Sequence, residues 1–529
     1  MRSRGDIGDR GSDWWKHGVL YQVYPRSFQD SDGDGVGDLR GIIQRLDHLA
    51  WLGIDGVWLN PVSPSPNRDW GYDVSDYLDV STEYGGLDAL KELIEAASDR
   101  GIRVVLDLVP NHTSDQHPWF LDARSGGDAQ HRDWYVWADP ANDGGPPNNW
   151  RSSFGGPAWT LDESSGQYYL HNFLPHQPDL NWWNEDVRAA FDGILRGWFD
   201  RGVAGFRIDV ANAIVKDRLL RDDPVTVAGA SALDEPQIIY SMHRPEVHDV
   251  LRRWRAIADA YDPPRVLIGE TWVRDLPELA SYYGEGTELH LAFNFAFATA
   301  PFEATALRAV IDATELALGT DPWPLWTASN HDIGRLATRW ASGDERRVRC
   351  ALFVLLLLRG TPTLYAGDEI GLEDVEMPSS RWRDEGSGPG GRSRDSGRTP
   401  IPWEPGPGHG FTSPGVEPWL PIGGAARSVA EQRADPHSTL VWCQKVIALR
   451  RRMDDLASGA QELLDAEGDV LAWKRGDAVT VAANLSPTAA TMPRPGGELV
   501  LASDGVRLAQ GDAALKLPPW GCAVVRRHV

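Results

Sequence analysis

The chain has little sulfur. Its three cysteines, Cys350, Cys443 and Cys522, are odd in number, far apart and without metal-ligand spacing. That pattern speaks against a disulfide framework and for a reducing compartment, so a cytoplasmic location is expected. Long apolar runs are also missing. The longest aliphatic stretch, Ala351–Leu358, is far too short to span a bilayer and reads as a buried helix segment. The start, Met1 to Asp6, lacks an apolar h-region, so no signal peptide and no membrane partner are expected. Positive charge is scarce: 52 Lys and Arg stand against 76 Asp and Glu, a net charge of -24. Nucleic acid and anionic membrane surfaces are thereby excluded as partners, and a neutral or cationic ligand is favoured.

Tryptophan is what the chain has in excess, with 24 against 13 Tyr and 13 Phe. Indoles suit sugar-stacking surfaces, because pyranose C–H faces pack on aromatic rings; many half-buried Trp in a large core would give the same count. The first 370 or so residues alternate strand-like and helix-like patterns. Strands are predicted at Val19–Tyr24, Gly56–Asn60, Arg103–Leu108, Gly205–Val210, Arg265–Gly269, Leu289–Phe295, Leu325–Ser329 and Pro362–Tyr365. Helices are predicted at Leu39–Leu52, Leu87–Ala97, Asp186–Arg201, Glu345–Leu358 and Val441–Arg452, the third opened by Asn184 as N-cap. Eight β-then-α units favour an α/β fold of the (β/α)8 TIM barrel type over an open sheet. The barrel is expected over residues 1–112 and 184–457. An inserted small domain, 113–183, follows strand three, and 458–529 reads as a C-terminal antiparallel β domain of sandwich type.

Four strand ends carry the chemistry. They deliver Asn111 and His112, Arg207 and Asp209, Glu270, and Asn330, His331 and Asp332. In a parallel barrel all strand C-termini meet at one face, so these groups should share one pocket. Retaining glycoside hydrolysis needs two carboxyls about 5–5.5 Å apart across a sugar carbon. Asp209 suits the nucleophile, with Arg207 two residues earlier expected to depress its pKa. Glu270 has no evident cation beside it in the sequence, and its apolar approach run should raise its pKa, as a general acid requires. Asp332 suits a stabiliser of positive charge, and His112 and His331 suit donors to sugar hydroxyls. Separately, Asp30, Asp32, Asp34 and Asp38, with the carbonyl of Val36, alternate with glycines as a hard-cation loop would. An EF-hand is ruled out because its twelfth position would be Gly41.

The segments Asp107–His112, Gly205–Asp209, Gly269–Thr271 and Asn330–Asp332 resemble the four conserved regions of the α-amylase superfamily, glycoside hydrolase family 13, in order and spacing. Tyr21–Pro25 and Gly360–Tyr365 resemble two further regions, so the likeness covers essentially the whole chain. It implies an α-retaining mechanism with Asp209 as nucleophile, Glu270 as acid/base and Asp332 as transition-state stabiliser. Gln177–Asn181 resembles the marker of the oligo-1,6-glucosidase and α-glucosidase branch. In that branch, the residue matching Asp69 holds the outer hydroxyls of a terminal glucose and the one matching Tyr72 stacks under its ring. Arg398, in Arg398–Trp403, matches an arginine that pairs with that aspartate, which implies an Asp69–Arg398 wall and exo action. Phe154 and Phe173 match aromatics lining the same pocket. The acidic loop matches one holding a structural calcium, in some cases magnesium; no organic cofactor is implied.

Linkage preference rests on Val210. In relatives Val after the nucleophile accompanies α-1,6 activity, but Ala211-Asn212 departs from that group's continuation. The stretch from Asn212 to Arg253 resembles α-glucosidases active on maltose-type substrates. The expectation is an exo-α-glucosidase of α-1,4 or broad specificity acting on short oligosaccharides, as a monomer or homodimer. An oligo-1,6-glucosidase and an α-transglucosylase are the alternatives. The sucrose-isomerase loop Arg-Leu-Asp-Arg-Asp is absent after Asp332. A transporter heavy chain would carry a membrane span, which this chain does not show.

Overall fold

The alternating patterns resolve into eight parallel strands of one sheet in a computed structural model. It describes residues 13–224, 239–273, 275–384, 393–423, 427–493, 495–508 and 514–527. The barrel strands are β1 (Leu20–Val23), β2 (Gly56–Leu59), β3 (Arg103–Leu108), β4 (Gly205–Ile208), β5 (Val266–Gly269), β6 (Leu291–Ala292), β7 (Leu325–Thr327) and β8 (Thr361–Tyr365). Their order in the sheet is β7-β8-β1-β2-β3-β4-β5-β6. A parallel bridge between Phe293 and Leu325 joins the two edges. The (β/α)8 barrel is therefore present. Most strands are buried along their whole length, as barrel strands covered by helices outside and side chains inside must be.

Each strand is followed by a helix: α1 (Leu39–Leu52), α2 (Gly86–Ser98), α3 (Glu185–Asp200), α4 (Val247–Asp259), α5 (Leu276–Ser281), α6 (Ala304–Leu318), α7 (Glu345–Leu357) and α8 (Thr439–Arg452). Local chemistry sets their ends. Asp38 caps α1 by accepting from the Gly41 N–H, and Gly53 closes it in the left-handed region at φ 97°. Asn184 caps α3 through the Asp186 N–H.

Six predicted strands come out shorter than expected, and for two of them the end itself shows why. The sixth is confined to Leu291–Ala292, because Asn294 caps a helix over Phe295–Thr299 through the Phe297 N–H. The fourth stops at Ile208, and Val210 turns into the left-handed region at φ 36°. Both departures lie at the C-terminal barrel face, where side chains are aimed rather than packed.

Between β3 and α3 the described structure holds a helix (Pro118–Ala123) and a three-stranded antiparallel sheet of Trp137–Ala138, Gln167–Leu170 and Trp159–Asp162. The C-terminal part forms a five-stranded and a three-stranded antiparallel sheet. Period-two alternation divides strand Val470–Arg475 between two cores. Val470 and Ala472 meet Leu515 and Leu517 of the smaller sheet, while Leu471 and Trp473 join the core shared with the barrel helices. Among the described residues no helix is long and apolar enough to cross a membrane. The first twelve residues, and parts of the Gly-rich stretch after β8, lie outside the described residues.

Candidate active site

The strand ends converge on Arg207. It lies on β4 opposite Asp107 of β3, and its guanidinium is almost fully buried. Nη1 donates to Asp107 Oδ1 at 2.8 Å and to Asp209 Oδ1 at 2.7 Å, while Nη2 meets Glu270 Oε1 at 2.5 Å. One cation thus faces three carboxylates. Burial pushes Asp209 well above the usual carboxylate range; Arg207 opposes this, and Glu270, Asp107 and Asp332 add their repulsion. Burial likewise raises Glu270 against the pull of Arg207, with Asp332 adding to the rise.

Two sequence expectations are corrected here. Arg207 pulls Asp209 down as expected, but it is shared three ways and desolvation outweighs it, so the net shift is upward. Glu270 does have a cation beside it, the same Arg207, and is raised in spite of it. Both Asp209 and Glu270 are thus shifted towards their protonated forms. The turn after Asp209 is latched to the same strand end. Val210 donates its N–H to Glu270 Oε2 at 3.0 Å, and Ala211 donates to the Glu270 carbonyl at 2.8 Å.

Asp332 behaves in the opposite way. Burial raises its carboxyl, but His331, Arg394, Arg398 and Arg207 together bring it well below the usual range. Its Oδ1 accepts from Arg394 Nη1 and from Arg398 Nη2, both at 3.0 Å. The expected Asp69–Arg398 pair is not formed. Asp69 Oδ1 accepts instead from Arg394 Nη2 at 2.7 Å, and Asp69 Oδ2 from Gln177 Nε2 at 2.8 Å. Arg394 and Arg398 bracket a single 3-10 turn, Arg394–Gly397, so both guanidiniums reach Asp332. Only the first extends on to Asp69; Arg398 is tied by Nε to the His331 carbonyl at 2.9 Å.

The other expected residues surround this cluster. The Tyr72 ring lies parallel to that of His331, with centroids 5.3 Å apart and planes at 3°. Tyr72 Oη donates to Asp107 Oδ2 at 3.0 Å and lies 2.6 Å from His331 Nε2. Gln22 donates to His331 Nδ1 at 2.8 Å, which places the ring proton on Nε2. His331 is held neutral mainly by burial, and burial takes His112 down to about 4. His112 Nε2 lies 3.1 Å from the Tyr72 carbonyl and its ring is 5.2 Å from Phe173. Phe154 contacts Phe173 edge-on at 6.1 Å and lies under Arg394 at 5.2 Å. Phe173 packs on Val210.

Sequence reading did not single out Asp107, Arg394, Asp384 or Lys216. Asp384 holds Arg394 through both oxygens at 2.7 Å. Lys216 is buried, with Nζ 2.9 Å from Asp179 Oδ2 and 2.5 Å from Asn111 Oδ1. Asp107 carried a signal, since an acid inside a buried strand must be paired. The others sit in irregular loops without one.

In the acidic loop, ligand atoms of Asp30, Asp32 and Asp38 lie within 4.8 Å of one another, with Asp30 and Asp38 buried and Asp32 exposed. An all-oxygen anionic set of that size fits a hard divalent cation. Asp34 stands outside the group; its Oδ1 accepts from the Val36 N–H at 2.7 Å.

A barrel whose strand ends gather acids around one arginine, beside an Asp69–Arg394–Asp332 bridge, defines a carbohydrate-active hydrolase class. The chain belongs to the α-amylase family, glycoside hydrolase family 13, in its α-glucosidase branch: residues 22–459 match the family model "Alpha amylase, catalytic domain". Residues 443–524 match the "Domain of unknown function (DUF3459)". A probable alpha-glucosidase of Rhizobium meliloti is 40% identical, covering 97% of both chains. An oligo-1,6-glucosidase of Heyndrickxia coagulans is 35% identical over 92% of this chain and 94% of that one. Among solved structures, the alpha-glucosyl transfer enzyme XgtA superposes with a TM-score of 0.91 at 38% identity, covering 97% of this chain and 99% of the other. The protein is a glycoside hydrolase.

Proposed function

We propose that the protein is a retaining exo-α-glucosidase that releases glucose from the non-reducing end of short α-glucosides, of maltose-type or broad linkage specificity. The observation that carries this is the Asp69–Arg394–Asp332 bridge. In this reading the bridge closes the pocket beyond the first sugar, so that only a non-reducing end is accepted. In this reading Asp209 attacks the anomeric carbon and Glu270 protonates the departing oxygen, then activates water. Asp332, kept ionised by its two arginines, stabilises the positive charge that develops on the ring. Arg207 steadies whichever carboxylate is charged at each stage.

Asp30, Asp32 and Asp38 would hold a calcium or magnesium ion of structural role, remote from the reacting atoms. The likeness to an alpha-glucosyl transfer enzyme supports a second reading, in which a sugar hydroxyl replaces water as acceptor.

The test is incubation with maltose, isomaltose, sucrose, kojibiose and nigerose while glucose and its anomer are followed by NMR. Release of α-glucose from the maltose-type substrates is expected, together with products longer than maltose at high concentration if transfer occurs. Release of the β-anomer would overturn retention.

A further inference from the structure

The loops after β5 and β6, the latter strand next to the one that carries Asp332, are built differently. Asp69, Arg394 and Asp332 stand on the loops after β2, β8 and β7. Trp272 and Phe295 follow β5 and β6, on the far side of the ring from β1 and β2. Trp272, two residues beyond Glu270, is 40% exposed and stacks on Phe295 with centroids 3.9 Å apart and planes at 9°. Behind this platform runs a chain of contacts that the mechanism does not use. Asn212 Oδ1 accepts the Trp272 backbone N–H at 3.2 Å. Asn212 Nδ2 faces His243 Nε2 at 3.3 Å, and His243 Nδ1 lies 3.1 Å from Glu278 Oε1. The His243 N–H also donates to the Asn212 carbonyl at 2.8 Å.

The polarity of this chain is forced. The Trp272 N–H can only donate, so the Asn212 carbonyl oxygen must face it. The amide NH2 then faces His243, whose Nε2 must accept, which leaves the ring proton on Nδ1 toward Glu278. Backbone strain marks the same place. Val210 and His243 hold φ of 36° and 56°, values that β-branched and bulky residues rarely adopt.

We infer that His243 and Glu278 are positioning residues for the leaving-group and acceptor side of the site: through Asn212 they fix the Trp272 platform on which the second sugar rests. This rests on the α-glucosidase reading above.

The experiment compares the parent with H243F and E278Q on maltose, measuring free glucose and transfer product. In H243F the transfer-to-hydrolysis ratio should fall about fivefold, with KM for maltose raised more than kcat is lowered. Thermal denaturation separates misfolding from this effect, and E278Q, which keeps the ring, should lower the ratio by less. A parent-like ratio and KM in H243F would overturn the inference while leaving the glucosidase reading intact. Absence of any α-glucoside cleavage by the parent would instead strike the glucosidase reading itself.

Discussion

Arg207 holds Asp107, Asp209 and Glu270 at once, so removing one carboxylate does not orphan its charge. Asp209→Asn is therefore expected to cut turnover at least about a thousandfold. The melting temperature should rise, because one buried like charge is gone; a mutant as active as the parent would sink the nucleophile assignment. The raised pair also fixes a pH profile. Activity needs one proton on Asp209 and Glu270 together, so kcat/KM should be bell-shaped, with its alkaline limb well above the usual carboxylate range. In Glu270→Gln that limb should vanish for an activated aryl glucoside. The stability linkage has the same sign: folded-state values above unfolded ones mean that this pair's contribution declines as pH rises from the ordinary carboxylate range to the raised one. Asp332, depressed, contributes above the ordinary range and loses its contribution as pH falls through its low folded value. Arg394→Ala should weaken glucose binding more than Arg398→Ala, as inhibition by free glucose would show. Arg398 was legible through its motif. Arg394 was not, because nothing in the spacing says which of two arginines four apart reaches Asp69.

The elements at the barrel mouth were legible because buried runs ending in acids are visible without coordinates. The segment between β3 and α3 was legible only as an insertion, since its sheet is short and its strands lack strong alternation. Its attachment depends on a buried pair that sequence did not disclose. Lys216, after β4, binds Asp179 of the insertion and Asn111 at the end of β3. Lys216→Met leaves Asp179 buried without its cation and should cost about 3–5 kcal/mol, read from urea unfolding. Because Asn111 carries His112 toward Tyr72 and Gln177, KM should rise as well. A variant as stable as the parent would show that solvent or another group compensates.

Across the whole molecule, the acidic loop ties distant parts of the chain. Asp30 accepts from Thr412 Oγ1 at 2.5 Å, and its N–H donates to the Phe411 carbonyl at 3.0 Å. If a cation is held there, chelation should remove about 2–3 kcal/mol of stability at moderate saturation and leave kcat within about twofold. Calcium should restore the melting temperature, and Asp30→Asn should abolish the response; no shift on chelation would remove the metal from the account. The five-stranded sheet, whose three central strands are buried on both faces, likewise fuses the C-terminal part to the barrel, with Trp473 fully buried against it. By itself the amino-acid sequence determined the barrel, the Asn184 cap and the three acids at the strand ends, because hydrophobic period, capping residues and motif spacing are local properties of the chain. Only the tertiary structure decided which arginine closes the recess, how one guanidinium is divided among three carboxylates, and what stands behind Trp272. Those outcomes depend on distances between segments tens to hundreds of residues apart, and electrostatic sharing and desolvation exist only once the segments meet.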